Sequence, residues 1–213
     1  LHDNYPYLIV DARYEKIRTE HGVHSQAVMI VVGVSDKGLR EILSVEMGDS
    51  ENEQEWGRVF SGLKARGLKN VIYLVSDDHQ GLVKALGKHF QQVIWQRCQV
   101  HFIRNFMARM GKMKSALFLP RLKDIFSAAN EEDARERKDR LAAILEPVNN
   151  RISQWLDEEI EDCFAVFKLP ESHRRRMRST NMLERYNQEL KRRSRVIRIF
   201  HNTQSCLRLI ASM

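Results

Sequence analysis

Three carboxylates are set apart by their company. Asp11 follows the apolar run Tyr7-Leu-Ile-Val10, and Asp77 follows Val71-Ile-Tyr-Leu-Val75 with Ser76 between. Glu184 lies in a stretch, 174–198, that holds ten Lys and Arg against two Glu. If the two apolar runs are parallel neighbouring strands, Asp11 and Asp77 meet at one edge of a sheet. Ligands of α/β sheets gather there, outside the carboxyl ends of strands. Two aspartates so placed repel each other unless a cation sits between them. Hard oxygen ligands of this kind suit Mg²⁺, which keeps several waters and borrows further ligands from phosphate. One acid inside a basic surface serves a protein that must hold a polyanion and set a metal ligand against it. Plain alternatives stand beside this reading. An aspartate behind a strand can cap a turn or helix, Asn181-x-x-Glu184 is close to a capping box, and a run of arginines can be a solvated face.

The elements needed to position these acids are legible as periodicities. Tyr7–Val10 predicts a buried strand ending on Asp11, with 14–18 as a possible extension. Residues 26–34 and 40–47 predict two more strands, joined by the turn Asp36-Lys37-Gly38, in an antiparallel meander. Ser50-x-x-Glu53 reads as a capping box. Trp56, Val59, Phe60 and Leu63 follow at helical spacing, and Gly67 ends that helix. Residues 71–75 predict a strand buried on both faces, 81–88 a helix, and 92–95 a fifth short strand. From about residue 103 to 178 the period is helical throughout. Apolar stripes fall at Leu122, Ile125, Phe126 and Ala129, then at Leu141, Ile144, Leu145 and Val148, then at Ile152, Trp155 and Leu156. Pro147 is expected to break the second of these. The Glu184 stretch predicts a helix burying Leu183, Tyr186, Leu190 and Ile197, with Ser179, Thr180 and Asn181 as candidate N-caps. A final helix is expected over 203–213. The whole predicts an α/β fold: a mixed sheet with flanking helices and an all-helical insertion before the last acid. The parts are a core over 1–102, the insertion over 103–178, and the core completed over 179–213.

Composition narrows the class. The chain has 213 residues, 43% of them hydrophobic, with a net charge of +7 and a pI near 9.4, so an acidic partner is favoured. No apolar run approaches the length of a membrane span, and no signal-peptide pattern opens the chain. Three cysteines, Cys98, Cys163 and Cys206, make no disulfide framework and point to a reducing cytoplasm. The chain starts with Leu, not Met, and almost directly in a strand, as expected of a domain excised from a longer protein.

Four segments resemble bacterial Mutator-type insertion-sequence transposases, in order and over essentially the whole chain. They are Tyr5-Pro-Tyr-Leu-Ile-Val-Asp11-Ala-Arg-Tyr14, Val75-Ser-Asp77-Asp78-His79-x-Gly81-Leu82, Trp95-Gln-Arg97-Cys98-x-Val-His101-Phe-x-Arg104-Asn105 and Ser179-Thr-Asn181-x-x-Glu184-Arg185-x-Asn187-x-x-x-Lys191-Arg-Arg193. The resemblance implies a ribonuclease-H-like fold and an Asp-Asp-Glu triad on Asp11, Asp77 and Glu184. It implies two Mg²⁺ ions (Mn²⁺ substituting), hydrolysis at a transposon end, and attack of the freed 3′-hydroxyl on target DNA. Double-stranded DNA is the implied partner, with assembly on it as a homodimer or larger, in the bacterial cytoplasm at the nucleoid and not at a membrane. Candidate DNA contacts are Arg104, Arg185, Lys191, Arg192, Arg193 and Arg195. The family's Cys-x-x-His motif falls on Cys98 and His101; two soft ligands are too few for structural zinc, so support near the active site is the expected role. His79 is read as a phosphate contact or a helix start, and Trp56 and Trp155 as core. One departure is Asp78, where the family usually has Ala. Strand alternation alone leaves Asp77 and Asp78 equal candidates; the resemblance selects Asp77 and leaves Asp78 to cap the next helix or face solvent. A catalytically silent or truncated DNA-binding fragment, and a metal-dependent nuclease without strand transfer, are the alternative readings.

Overall fold

The computed structural model describes residues 1 and 3–212, apart from the side chain of Lys112. In chain order the elements are β1 (Tyr7–Thr19), β2 (Gly22–Val34), β3 (Arg40–Gly48), α1 (Glu53–Ala65), β4 (Tyr73–Ser76), α2 (Gln80–His89), β5 (Ile94–Arg97), α3 (Gln99–Met110), α4 (Lys112–Ile125), α5 (Glu131–Glu159), α6 (Glu171–Met177), α7 (Asn181–Ile197) and α8 (Thr203–Ala211). The chain divides into two compact units, Leu1–Ile94 with Thr180–Met213, and Trp95–Ser179.

The sheet is mixed and five-stranded, in the order β3-β2-β1-β4-β5, and β1 to β4 lie in the first unit. The expected meander is present. β1 and β2 pair antiparallel over their full length, and β2 pairs antiparallel with β3 from Ala27↔Gly48 to Val34↔Arg40, with an irregularity at Val31/Val32. Gly38, at a φ of +77°, makes the turn between β2 and β3. β4 lies parallel to β1, and Leu8, Ile9, Leu74 and Val75 are fully buried. A fully apolar run is what a strand covered on both faces requires.

Several boundaries differ from expectation. β1 does not end at Asp11 but runs on to Thr19, because β2 continues to pair with it; only the pairing with β4 stops, at Ile9↔Val75. α1 begins at Glu53, with Asn52 rather than Ser50 as its cap, the Asn52 side chain accepting from the Glu55 N–H at 2.9 Å. Its face Trp56, Val59, Phe60 and Leu63 is buried as read. β4 and β5 each start two residues later than expected. Gly81, in the first turn of α2, lies against the chain at the start of α1: a Cβ there would fall 2.7 Å from the Asn52 Cα. α7 ends at Arg198, which takes a φ of +60° in a tight turn. That turn sends Phe200 back to bond the backbone of Lys16 and Arg18 in β1. Ile197 is consequently exposed, not part of the buried face. α8 is capped by Asn202; Met213, the last residue of the expected final helix, lies outside the described residues.

The second unit is helical and has its own core, including Phe102, Phe106, Leu122, Leu141, Leu156 and Phe164. Trp155 stacks on Phe102 with ring centroids 4.7 Å apart, so it is a core residue, as Trp56 is in the first unit. Ala129, Ile144 and Val148 are exposed, contrary to their apolar spacing. For Val148 the reason lies in α5. Its backbone breaks at Asn149, two residues past Pro147, and the Asn149 side chain accepts from the Ile152 N–H at 3.3 Å. The second half of α5 therefore starts with its own cap and its own phase.

Candidate active site

The parallel pairing of β1 and β4 ends at Ile9↔Val75; Asp11 lies two residues further along β1, and Asp77 two residues past Val75, just beyond the end of β4. Asp11 is 5% exposed. Asp77 leaves β4 immediately after Ser76, and its Oδ1 is buried without a hydrogen-bond partner. Asp78 is exposed, and it does not cap α2: that place belongs to His79, whose side chain makes no cap bond. The His79 imidazole instead faces Glu51, Nδ1 to Oε1 at 3.6 Å.

Glu184 reaches this neighbourhood on α7. Thr180 takes the N-cap position without a side-chain cap bond, and the Glu184 N–H donates to the Thr180 carbonyl at 3.0 Å. Leu183, Leu190 and Ser194 are the buried positions of α7. One turn beyond Glu184, Asn187 Nδ2 donates to Asp11 Oδ2 at 2.8 Å. Positions three apart share a helix face, so Glu184 lies on the face that meets β1. The helix runs alongside β1 in the same direction. Arg13 Nη1 donates to the Asn187 carbonyl at 2.5 Å, and the Ser194 hydroxyl donates to Glu15 Oε1 at 3.3 Å. Asp11, Arg13 and Glu15 alternate along β1 and so share one face of the strand.

Charge on that face is tightly compensated. Arg13 forms an ion pair with Glu15. Burial nevertheless pushes the Glu15 carboxyl above its ordinary range, outweighing the Arg13 guanidinium. Burial, and then the nearby Glu15, pushes the Cys206 thiol up to about 12. Sequence reasoning assigned no role to Arg13, Glu15, Asn187 or Ser194. The one available signal was charged residues alternating at 11, 13 and 15, with Ala12 and Tyr14 between them, directly after the apolar run Leu8–Val10.

The basic residues of α7 do not form one uniform group. Arg192 and Arg193 are both spent on Glu189, at 2.7 and 2.9 Å, and together hold its carboxyl down to about 2. Arg185, Lys191 and Arg195 are exposed. Three other predicted residues belong to the helical unit. Cys98 is fully buried at the start of α3, His101 is half-buried one turn along, and Arg104 is exposed on the same helix. A cavity of about 500 Å³ in the first unit is lined by Lys64, Lys69, Lys88 and His89. Its lining precedes β4 and β5, so it opens at the amino ends of these strands, not where Asp77 stands.

The pattern of the family described as "Transposase, Mutator family" matches residues 1–213. The chain belongs to the Mutator family of transposases. It is 44% identical over 216 residues to the transposase for insertion sequence element ISRM5 of Rhizobium meliloti (strain 1021), covering 100% of this chain and 54% of that protein. It is 42% identical over 212 residues to the transposase for insertion sequence element IS256 in transposon Tn4001 of Staphylococcus aureus, covering 99% and 54%. With the transposase for insertion sequence element IS406 of Burkholderia multivorans (strain ATCC 17616 / 249) it shares 38% identity over 209 residues, covering 98% and 54%. The chain thus spans about half the length of the curated relatives it matches.

Among the described residues of this Mutator-family chain, no three His, Cys, Asp or Glu side chains stand close enough together to hold a metal ion. The backbone nonetheless fits the divalent ion that the family resemblance implies. Asp11 stands on β1, Asp77 follows the end of the parallel strand β4, and Asp77 keeps a buried oxygen that no donor satisfies. The donors are all carboxylate oxygens, the chemistry Mg²⁺ prefers. No described helix is long and apolar enough to cross a membrane.

Proposed function

We propose that this chain is the catalytic part of an insertion-sequence transposase, with a ribonuclease-H-like sheet carrying Asp11, Asp77 and Glu184 as metal-holding catalytic residues. The observation that supports this reading is the parallel β1/β4 pairing together with the Asn187–Asp11 bond, which packs α7, the helix bearing Glu184, against β1. The strand order, with three antiparallel strands followed by a parallel β4, supports the fold. Water cleaves a phosphodiester at the transposon end and leaves a 3′-hydroxyl, which then attacks a phosphodiester of the target DNA. A bound pair of Mg²⁺ ions would supply activation of the attacking oxygen and stabilisation of the leaving one. Asp11 and Asp77 would hold them from the sheet side and Glu184 from α7. Arg185, Lys191 and Arg195 neutralise backbone phosphates. No side chain is needed as a covalent nucleophile. Double-stranded DNA is the partner, and copies assemble on it in the bacterial cytoplasm.

The test is cleavage and strand transfer by the full-length protein on a labelled end substrate with Mg²⁺. Asp11→Ala, Asp77→Ala and Glu184→Ala each abolish both steps, with folding retained by circular dichroism. A variant that keeps near-normal cleavage removes its residue from the site. Cleavage without strand transfer in the unsubstituted protein would reassign the chain as a nuclease.

A further inference from the structure

We infer that Asn187, clamped by Arg13, is a positioning residue that fixes the Asp11 carboxylate for metal binding. This rests on the metal-holding role of Asp11 proposed above. Asp11 is 5% exposed, and the Asn187 amide donates to its Oδ2 at 2.8 Å. A buried carboxylate needs such donors to stay ionised and to keep one orientation. Asn187 is itself held from behind, because Arg13 Nη1 donates to its backbone carbonyl at 2.5 Å. Arg13 is fixed in turn by its ion pair with Glu15, and Glu15 by the Ser194 hydroxyl. The ladder therefore ties two turns of α7 to one face of β1, and its last rung is the carboxylate.

The Asn187 side chain also carries an acceptor that the protein does not use. Its Oδ1 is buried without a hydrogen-bond partner, as is Asp77 Oδ1. Both atoms are oxygens of a kind that divalent cations and their waters accept. A donor that orients a ligating carboxylate contributes about ten- to a hundredfold to metal affinity in comparable sites. The same geometry makes Asn187 the link between Glu184 and the sheet, since it holds the helix face bearing Glu184 against Asp11.

The experiment measures Mn²⁺ binding to the full-length protein, without DNA, by the electron paramagnetic resonance signal of free Mn²⁺. Asp11→Ala and Asp77→Ala are the reference variants, and circular dichroism monitors folding. Asn187→Ala, which replaces a weak helix former with a strong one, is expected to fold and to weaken Mn²⁺ binding by about tenfold. Arg13→Lys, which keeps the charge but not the planar fork, is expected to fall between it and the unsubstituted protein. Unchanged affinity in Asn187→Ala, with Asp11→Ala impaired, overturns this inference alone. If Asn187→Ala fails to fold, Arg13→Lys decides, and unchanged affinity there overturns it. If Asp11→Ala and Asp77→Ala bind Mn²⁺ as the unsubstituted protein does, the metal-holding reading itself fails.

Discussion

At the scale of single residues, the two adjacent aspartates are the sharpest case. Asp77 turns a buried, unsatisfied oxygen inward while Asp78 is exposed, and the start of α2 is occupied by His79. Asp77→Asn is therefore expected to abolish cleavage, because an amide brings no charge to a metal. Asp78→Asn is expected to change the rate less than twofold, since it removes neither a cap nor a buried group. Gel-based cleavage assays of the two variants decide it; an inert Asp77→Asn with a dead Asp78→Asn would place the strand register one residue away. The buried strands before Asp11 and Asp77 were legible in the sequence because a fully apolar run declares a strand covered on both faces, although β1 continues past Asp11 to Thr19. Asn187 was not. A single amide in a polar, arginine-rich helix has no periodic signature, and its importance comes from a partner far away in the chain.

At the scale of elements, α7 is one helix with two faces. One face meets β1 through Asn187 and Ser194; the other carries the exposed cations. Glu189 splits the second face by pairing with Arg192 and Arg193. Glu189→Gln releases both guanidiniums. DNA affinity is expected to rise at low salt, and the slope of log K against log salt to steepen by about one for each guanidinium that reaches a phosphate. Fluorescence anisotropy over a salt series measures this; an unchanged slope would mean that Arg192 and Arg193 face away from DNA. The existence of every strand and of the long helices was readable from periodicity, but the ends were not. The cap of α1 fell to Asn52 because three consecutive polar residues, Ser50, Glu51 and Asn52, offer competing starts. The second stripe of α5 misled because Val148 adjoins the break at Asn149, where the helical phase resets.

At the scale of the whole chain, two hydrophobic cores stand in place of one. The stack of Phe102 on Trp155 lies wholly within the helical unit. Phe102→Ala is expected to cost that unit about 3–5 kcal/mol. Hydrogen exchange should show it as faster exchange at amides of α3 and α5, with those of β1 and β2 unchanged. Equal loss of protection in both units would make them one cooperative body. The division also has a bearing on synthesis. The first unit is assembled from two separated stretches, with the helical unit threaded between them. At ribosomal speeds of about 5–20 residues per second, α7 emerges roughly 5–20 s after Asp77. A nascent chain therefore displays two repelling aspartates on a partial sheet, with neither Glu184 nor the Asn187 donor in place. On the proposed function, the order of the chain withholds Glu184 and Asn187 until the helical unit has been made, so the site is completed last.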